Sequence, residues 1–364
     1  MSTVTTSVET RPEYTSALSR LRSRVWHFVT HNYPFRTITQ AVVTIFAVIT
    51  FTFFLVRLMP GNPLSVYIND LVVIQGMSYQ EARDQAISLF AFDPDAPLLE
   101  QYVTYLTNLL RGDLGNSIRS PGTSVAAILG RFLPWTIFSV GLSLFVSFTL
   151  GILLGMTMAY LRDTPLDHIL TGVGSFFSSV PNYLIAILII VIFGVQLRWF
   201  RISEVLGAFT PGIQAGFTAE YILDILKHAL LPVLTYLIAT VGSWMLSMKG
   251  STISTLGEDY VTVAQARGIP DRRIVTAYVG RNAMLPLFTQ LAISIGFVVG
   301  GSVVIENIFQ YPGIGLRLLQ AINGRDYTVM QGIFIVITIA VVLSNITAEL
   351  LYSMLDPRVR VQGE

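Results

Sequence analysis

The stretch GEDYVTVAQARGIPDRRIVTAYVGRNAMLP, Gly257 to Pro286, decides how this chain is read. It is the longest charged interruption in an apolar second half, and its grammar is that of two helices meeting at a bend. Glu258 and Asp259 stand where acids favour a helix N-terminus. Tyr260, Val261, Val263, Ala264 and Ala266 then give a short helix of mostly small residues with an apolar side. Gly268 can take the left-handed conformation that closes a helix, and Pro270 cannot continue one. Asp271 is expected as the N-cap of a second helix, which carries Arg272, Arg273 and Arg281 into an apolar run. Taken alone, these residues describe either a basic loop that only sets topology or a short helix held out in the cytoplasm to meet a partner.

Composition places the stretch in a membrane protein. Of 364 residues, 52% are hydrophobic and only 12% charged, far more apolar than a soluble domain. A formal net charge of +1 gives no case for nucleic-acid binding. Cysteine is absent, so disulfides and thiolate metal sites are excluded. The histidines at 27, 31, 168 and 228 are scattered; His27 and His31 share helical spacing and read as interfacial polar residues, so no metal ligands are expected.

Six apolar runs, 37–58, 134–160, 169–194, 229–247, 284–305 and 329–354, are each close to the roughly 20 residues that cross a bilayer core. They predict an all-α membrane protein with six transmembrane helices. Residues 1–36 form a basic, Ser/Thr-rich tail, in which Leu18 to Tyr33 is expected to lie on the membrane as an amphipathic helix. After the first span, 37–58, residues 59–131 are the one sizeable polar segment, with an apolar-periodic helix from Leu98 to Leu110 before the turn GDLGNS, Gly112 to Ser117. Residues 132–356 make the membrane core and 357–364 a short tail. Basic residues gather in the N-terminal tail, at Arg162, in the 249–283 loop (Lys249, Arg267, Arg272, Arg273, Arg281) and in the terminal DPRVR. The positive-inside rule then puts both termini in the cytoplasm, residues 59–131 outside and Gly257–Pro286 inside.

Within the spans, Gly151 and Gly155 form a GxxxG pair, and Ala292, Gly296 and Gly300 a stripe of small residues. Both are read as helix packing, within or between subunits. Pro181 is expected to kink the third span, with Ser178, Ser179 and Asn182 satisfying the freed carbonyls or facing a water-filled path. Ser179, Pro181 and Asn182, with Gln290 and Ser294 on the fifth span, are the candidate path-lining residues. No acid or base sits near the middle of a span, which argues against a stand-alone ion-coupled carrier. Neither HExxH nor paired aspartates occur within the spans, so an intramembrane protease is not favoured either. A P-loop GxxxxGK[ST] is likewise missing, so any ATPase must be another chain.

The Gly257–Pro286 stretch resembles the EAA loop of ABC-transporter permeases, in which a short coupling helix docks on a cytoplasmic ATPase. Thr262, Val263 and Ala264 take the Glu-Ala-Ala places, so only the last alanine is kept, while Gly268 is in register. The long gap to Leu285-Pro286, with EDYVxxAxAxG before it and RNAxLP closing it, is similar to the dipeptide/oligopeptide branch. RLMPGNP (Arg57–Pro63), GDLGNS, RFLPWT, VVIENIFQYPGIG (Val303–Gly315), RDYTVMQG (Arg325–Gly332) and YSMLDPRVR extend the resemblance over about residues 37–360. The resemblance implies a type I importer permease of the cell membrane that catalyses nothing and holds no cofactor. ATP and Mg would be bound by two separate ATP-binding subunits. A second, similar permease would complete a heterodimer in the bilayer, and an extracytoplasmic binding protein would deliver di- or oligopeptides, with nickel or oligosaccharides as the alternative cargo. The residues implied in ATPase coupling are Glu258, Asp259, Tyr260, Ala264, Ala266 and Gly268. Two departures stand out: Thr262 replaces the acidic residue of the motif, and Lys249 stands where the branch more often has arginine.

Overall fold

The computed structural model describes residues 33–58, 63–90 and 96–355. The N-terminal tail up to residue 32, the middle of RLMPGNP and the tail 357–364 lie outside them. Residues 1–47 and 48–364 form separate units; the first contributes the opening half of the first helix, and the second holds the helices and contacts of the membrane core.

The regular structure of the described residues is helical, apart from one isolated bridge between Asn116 and Ser124. In chain order the helices are α1 (Tyr33–Leu58), α2 (Pro63–Gln75), α3 (Tyr79–Phe90), α4 (Leu98–Leu110), α5 (Val125–Tyr160), α6 (Pro165–Ser179) and α7 (Asn182–Ile189). They continue with α8 (Ala219–Leu256), α9 (Asp259–Ala266), α10 (Leu285–Val298), α11 (Val303–Ile308), α12 (Ile314–Gly324) and α13 (Tyr327–Leu355). Their starts are chemically marked. Ser124, Thr164, Thr218 and Ser302 each cap a helix by accepting a backbone N–H three residues on. Ahead of α3, the Ser78 hydroxyl and N–H both donate to Glu81 Oε2 (2.8 and 3.1 Å), a capping box that holds the Glu81 carboxyl below its ordinary range.

Four helical stretches, Arg36–Val56, Val125–Tyr160, Ala219–Leu256 and Tyr327–Glu349, are long and apolar enough to cross a membrane. A fifth is broken: α6 and the helix Asn182–Gln196 meet at a bend of 102°. Pro181 sits at the break as the cap of α7, as its missing N–H requires. The Ser178 and Ser179 hydroxyls donate to the Gly174 and Ser175 carbonyls one turn back (2.7 and 2.8 Å).

Three apolar runs depart from expectation, the one at 134–160 because the Ser124 cap starts α5 at Val125. The run at 229–247 belongs to a longer helix, α8, because the Thr218 cap starts it well before the apolar stretch. The run at 284–305 is cut short: α10 ends at Val298, and Gly301 turns the chain at φ +64° into α11. Only glycine fits that turn, since a Cβ on Gly301 would stand 2.6 Å from Glu306 Oε1.

Packing centres on α8. Ser143 Oγ donates to Val233 O (3.3 Å), Gly151 meets Trp244 and Gly155 meets Met248, so α5 runs alongside α8 in the same direction. α6 runs the opposite way, with Gly174 against the backbone at Gly242 and Thr171 beside Lys249. Ala292 and Gly296 of α10 meet Ser344 of the antiparallel α13, whose hydroxyl donates to Ala292 O. Both small-residue motifs are thus spent on contacts inside this chain.

α12 is fixed by two buried carboxylates. At its start, Thr136 Oγ1 accepts Ile314 N–H (2.7 Å) and donates to Glu306 Oε1 (2.9 Å), while Leu316 N–H donates to Glu306 Oε2 (3.0 Å). Gly313 and Gly315 leave the room that this carboxylate occupies. Beyond its end, Asp326 accepts from the Ser117 hydroxyl and from Ile118 N–H (3.1 Å), and Arg119 Nε donates to Gly324 O (2.8 Å). The GDLGNS turn and RDYTVMQG thus close on each other through Ser117 and Asp326.

Gly242→Leu is expected to overpack the α6–α8 crossing by about 1–3 kcal/mol and lower the unfolding midpoint in detergent. Gly172→Ala, with open space around it, should leave that midpoint unchanged. Glu306→Ala strips its donors of an acceptor and should cost about 2 kcal/mol by the same measurement. Glu306→Gln keeps one acceptor oxygen and should cost less.

Candidate functional site

α9 is a helix of two turns that buries one side on its own hairpin. Val261 and Ala264 are buried against Ile274 and Val279, with Leu256, Ile269 and Tyr278 around them. Tyr260, Thr262, Val263, Gln265, Ala266 and Arg267 are exposed. Glu258 stands at the N-cap without a side-chain capping bond, and Asp259 lies in the first turn, where its charge suits the helix dipole.

The helix closes as the sequence requires. Gly268 N–H donates to Gln265 O (2.9 Å) and Ile269 N–H to Ala264 O (3.2 Å), the paired bonds of a Schellman motif. Gly268 has φ +69°, and Ile269 packs in the same apolar cluster as Ala264. A Cβ on Gly268 would meet nothing within 4 Å, so glycine is needed there for backbone conformation and not for space. Pro270 then takes the next cap position, and Asp271 is the first residue of the following turn, not its cap as expected.

The segment after the bend is not a plain α-helix. Asp271–Arg273 and Arg281–Ala283 are single turns on either side of a π-helix, Ile274–Gly280. Gly280 has no room for a side chain: a Cβ there would stand 2.9 Å from Val275 O and 3.1 Å from the Met156 methyl. Asn282 Nδ2 donates to the Tyr278 carbonyl (2.7 Å) and to the Tyr260 hydroxyl (3.1 Å), and Ser251 Oγ donates to Ala283 O (2.7 Å). α9 is therefore tied both to the end of α8 and to the entry of α10.

Two turns before the end of α8, half-buried Lys249 pairs with buried Asp167, a contact that sequence patterning does not reveal. Its Nζ lies 2.6 Å from Asp167 Oδ1 and 3.0 Å from Thr171 Oγ1, while Asp163 N–H donates to Asp167 Oδ2 (3.3 Å). The pair fixes the start of α6 against the last turns of α8. In sequence, Lys249 reads only as a span-end charge; Asp167, 82 residues away in a short loop, carries no signal that would join the two.

Of the sequence-derived coupling residues, Glu258, Asp259, Tyr260, Ala266 and Gly268 are exposed, whereas Ala264 faces inward. Val263, in an EAA place, is the most exposed large apolar residue of α9. The path candidates fall into two groups. Ser179, Pro181 and Asn182 cluster at the α6–α7 break, and Gln290 and Ser294 lie one turn apart on α10, joined by the Ser294 hydroxyl donating to Gln290 O (2.8 Å).

Comparison with known proteins assigns this architecture. Residues 151–361, from mid-α5 to the C-terminal tail, match the model of the binding-protein-dependent transport system inner membrane component. The chain is 33% identical over 309 residues to a candidate peptide permease protein of Brucella suis, covering 85% of this chain and 92% of that one. It is 30% identical over 339 residues to the di/tripeptide transport system permease protein DppB of Pseudomonas aeruginosa, covering 90% and 98%. The oligopeptide transport system permease protein AppB of Bacillus subtilis is 26% identical over 327 residues, covering 90% and 98%. With a match across more than half its length and relatives spanning nearly all of it, the chain belongs to the family of inner-membrane permease components of binding-protein-dependent ABC transporters.

Proposed function

We propose that this chain is one permease half of an ATP-driven peptide importer, and that α9 is the helix by which ATP-binding subunits drive it. The observation that carries the reading is the construction of α9: a short helix closed by glycine, with its inner side packed on its own hairpin and its Tyr260–Val263–Arg267 side open. The names of the full-length relatives supply the cargo class, di- to oligopeptides.

In this reading six spans cross the membrane, with α10 as the short fifth and both termini in the cytoplasm. The basic residues around α9 support that orientation. The partners are a second permease, two ATP-binding subunits holding ATP and Mg, and an extracytoplasmic binding protein. Closure of the ATPase pair would push α9. Through Asn282, Ser251 and the π-helix the push reaches α10 and the α5–α6–α8 block, which would rock between inward- and outward-open states as rigid bodies. The polar groups at the α6–α7 break and on Gln290 and Ser294 would then line the peptide's path.

Reconstitution tests the function. Proteoliposomes holding the chain with its neighbouring permease, ATPase and binding-protein genes' products should accumulate a labelled tripeptide on ATP and not on a proton or sodium gradient. Uptake driven by a gradient with this chain alone would sink the reading in favour of a secondary carrier. The coupling helix has its own test. At φ +69° a β-branched side chain on Gly268 costs roughly 1 kcal/mol or more, enough to disturb the end of α9 but not the spans. Gly268→Val is expected to reach the membrane at normal levels and lose uptake, either releasing the ATPase or letting it turn over idly. Wild-type uptake with the ATPase retained would reduce α9 to a topological loop.

A further inference from the structure

The polar segment between the first two spans holds a helix with an open apolar side. In α4, Leu98, Leu99, Tyr102, Val103, Tyr105, Leu106, Leu109 and Leu110 fall on one continuous arc at 100° per residue; Glu100, Gln101, Thr104, Thr107 and Asn108 fill the other. No residue of this helix is fully buried. Half of the apolar arc has a partner. The Tyr102 hydroxyl is 2.7 Å from Thr50 Oγ1 of α1, and the Phe53 ring packs on Tyr102 and Tyr105 at centroid distances of 5.1 and 5.2 Å. Among the described residues the other half has none: Leu99, Val103 and Leu110, a stripe at spacings of four and seven residues, are 74%, 54% and 89% exposed.

The contact with α1 fixes how deep this stripe lies. The apolar span of α1 ends at Val56, six residues beyond Thr50. At 1.5 Å per residue the Thr50–Tyr102 contact is about 9 Å inside that end, and the Phe53 contacts about 4 to 5 Å inside. That is the depth at which an interfacial amphipathic helix buries its apolar face, roughly 5–10 Å. Partly exposed Phe54 of α1 stacks on Tyr102 of the same arc at a centroid distance of 5.6 Å, so the arc continues the surface of a membrane span. Its composition favours lipid over protein. It has no small residues to let a second helix approach, and its exposed half carries no Trp, Tyr or Arg anchor.

We infer that α4 is seated in the outer leaflet, with Leu99, Val103, Leu106 and Leu110 among the acyl chains beside the first span and its polar arc toward the headgroups and water. It thereby pins the 59–131 segment to the bilayer surface. The inference rests on the proposed topology, in which this segment is outside.

The absence of cysteine makes the test direct. Val103→Cys, Thr104→Cys and Asp113→Cys are made singly in the full importer, kept only if uptake persists, and labelled in native membranes. A nitroxide at Val103→Cys should collide with oxygen in preference to a water-soluble nickel chelate, and one at Thr104→Cys should show the reverse. In intact cells an impermeant maleimide should label Asp113→Cys at least about ten times faster than Val103→Cys, because the apolar arc is shielded by lipid. Equal chelate access at Val103→Cys and Thr104→Cys would overturn the inference by placing the stripe in water. Shielding of Val103→Cys from oxygen and chelate alike would overturn it in favour of a protein cover, from the second permease or the binding protein. Labelling of Asp113→Cys only after lysis would instead bring down the topology itself.

Discussion

Contact between helix backbones holds this molecule together. In lipid there is no hydrophobic force pressing one apolar helix on another, so association depends on how closely the backbones approach. Along α8 that approach is secured by glycine on both sides: Gly242 receives the backbone of α6 at Gly174, and Trp244 to Met248 receive α5 at Gly151 and Gly155. A methyl group at Gly151, Gly155, Gly174 or Gly242 would collide with the neighbouring helix. The three helices therefore behave as one block, and the Asp167–Lys249 pair marks its end. The pair joins the first turn of α6 to α8 at 2.6 Å.

The α9 hairpin is an appendage of that block. α9 has its own small core of Val261, Ala264, Ile274 and Val279, separate from the clusters that fill the spans. Its links to the rest include the chain at Leu256, the Ser251–Ala283 bond, Gly280 against Met156 of α5, and Asn282 reaching back to Tyr260. Between them lies a π-helix, whose wider turn shifts the register of α10 relative to the hairpin.

Much of this architecture is legible in the sequence because it is local. Gly268 followed by Pro270 announces the end of α9, and the left-handed glycine is found there. Pro181 announces the broken span, since a proline cannot donate the bond a helix interior needs. What cannot be read joins residues far apart. Asp167 and Asp326 carry no local sign of a partner; their roles exist only once Lys249 and Ser117 are brought to them. The fifth run misleads for a related reason. Val299 to Ile305 is as apolar as a span, but the turn at Gly301 is imposed by the Glu306 carboxylate and by Thr136 on another helix. The inward orientation of Ala264 is also hidden, because the period of an eight-residue helix does not say which side its hairpin will cover.

The carboxylate at Glu306 has a consequence for how the protein is made. Thr136 bonds a residue 170 positions later in the chain, and the N–H groups of Ile314 and Leu316 that complete the arrangement come later still. Asp326 closes on Ser117 and Ile118 across separations of 209 and 208 residues. During synthesis α5 enters the bilayer with Thr136 and the GDLGNS turn unpaired, and they stay so until nearly the whole chain has emerged. The α12 cap thus forms late, ahead only of the packing of α13 on α10. A chain that stops short of it leaves the Thr136 and Ser117 hydroxyls without the carboxylates that accept from them.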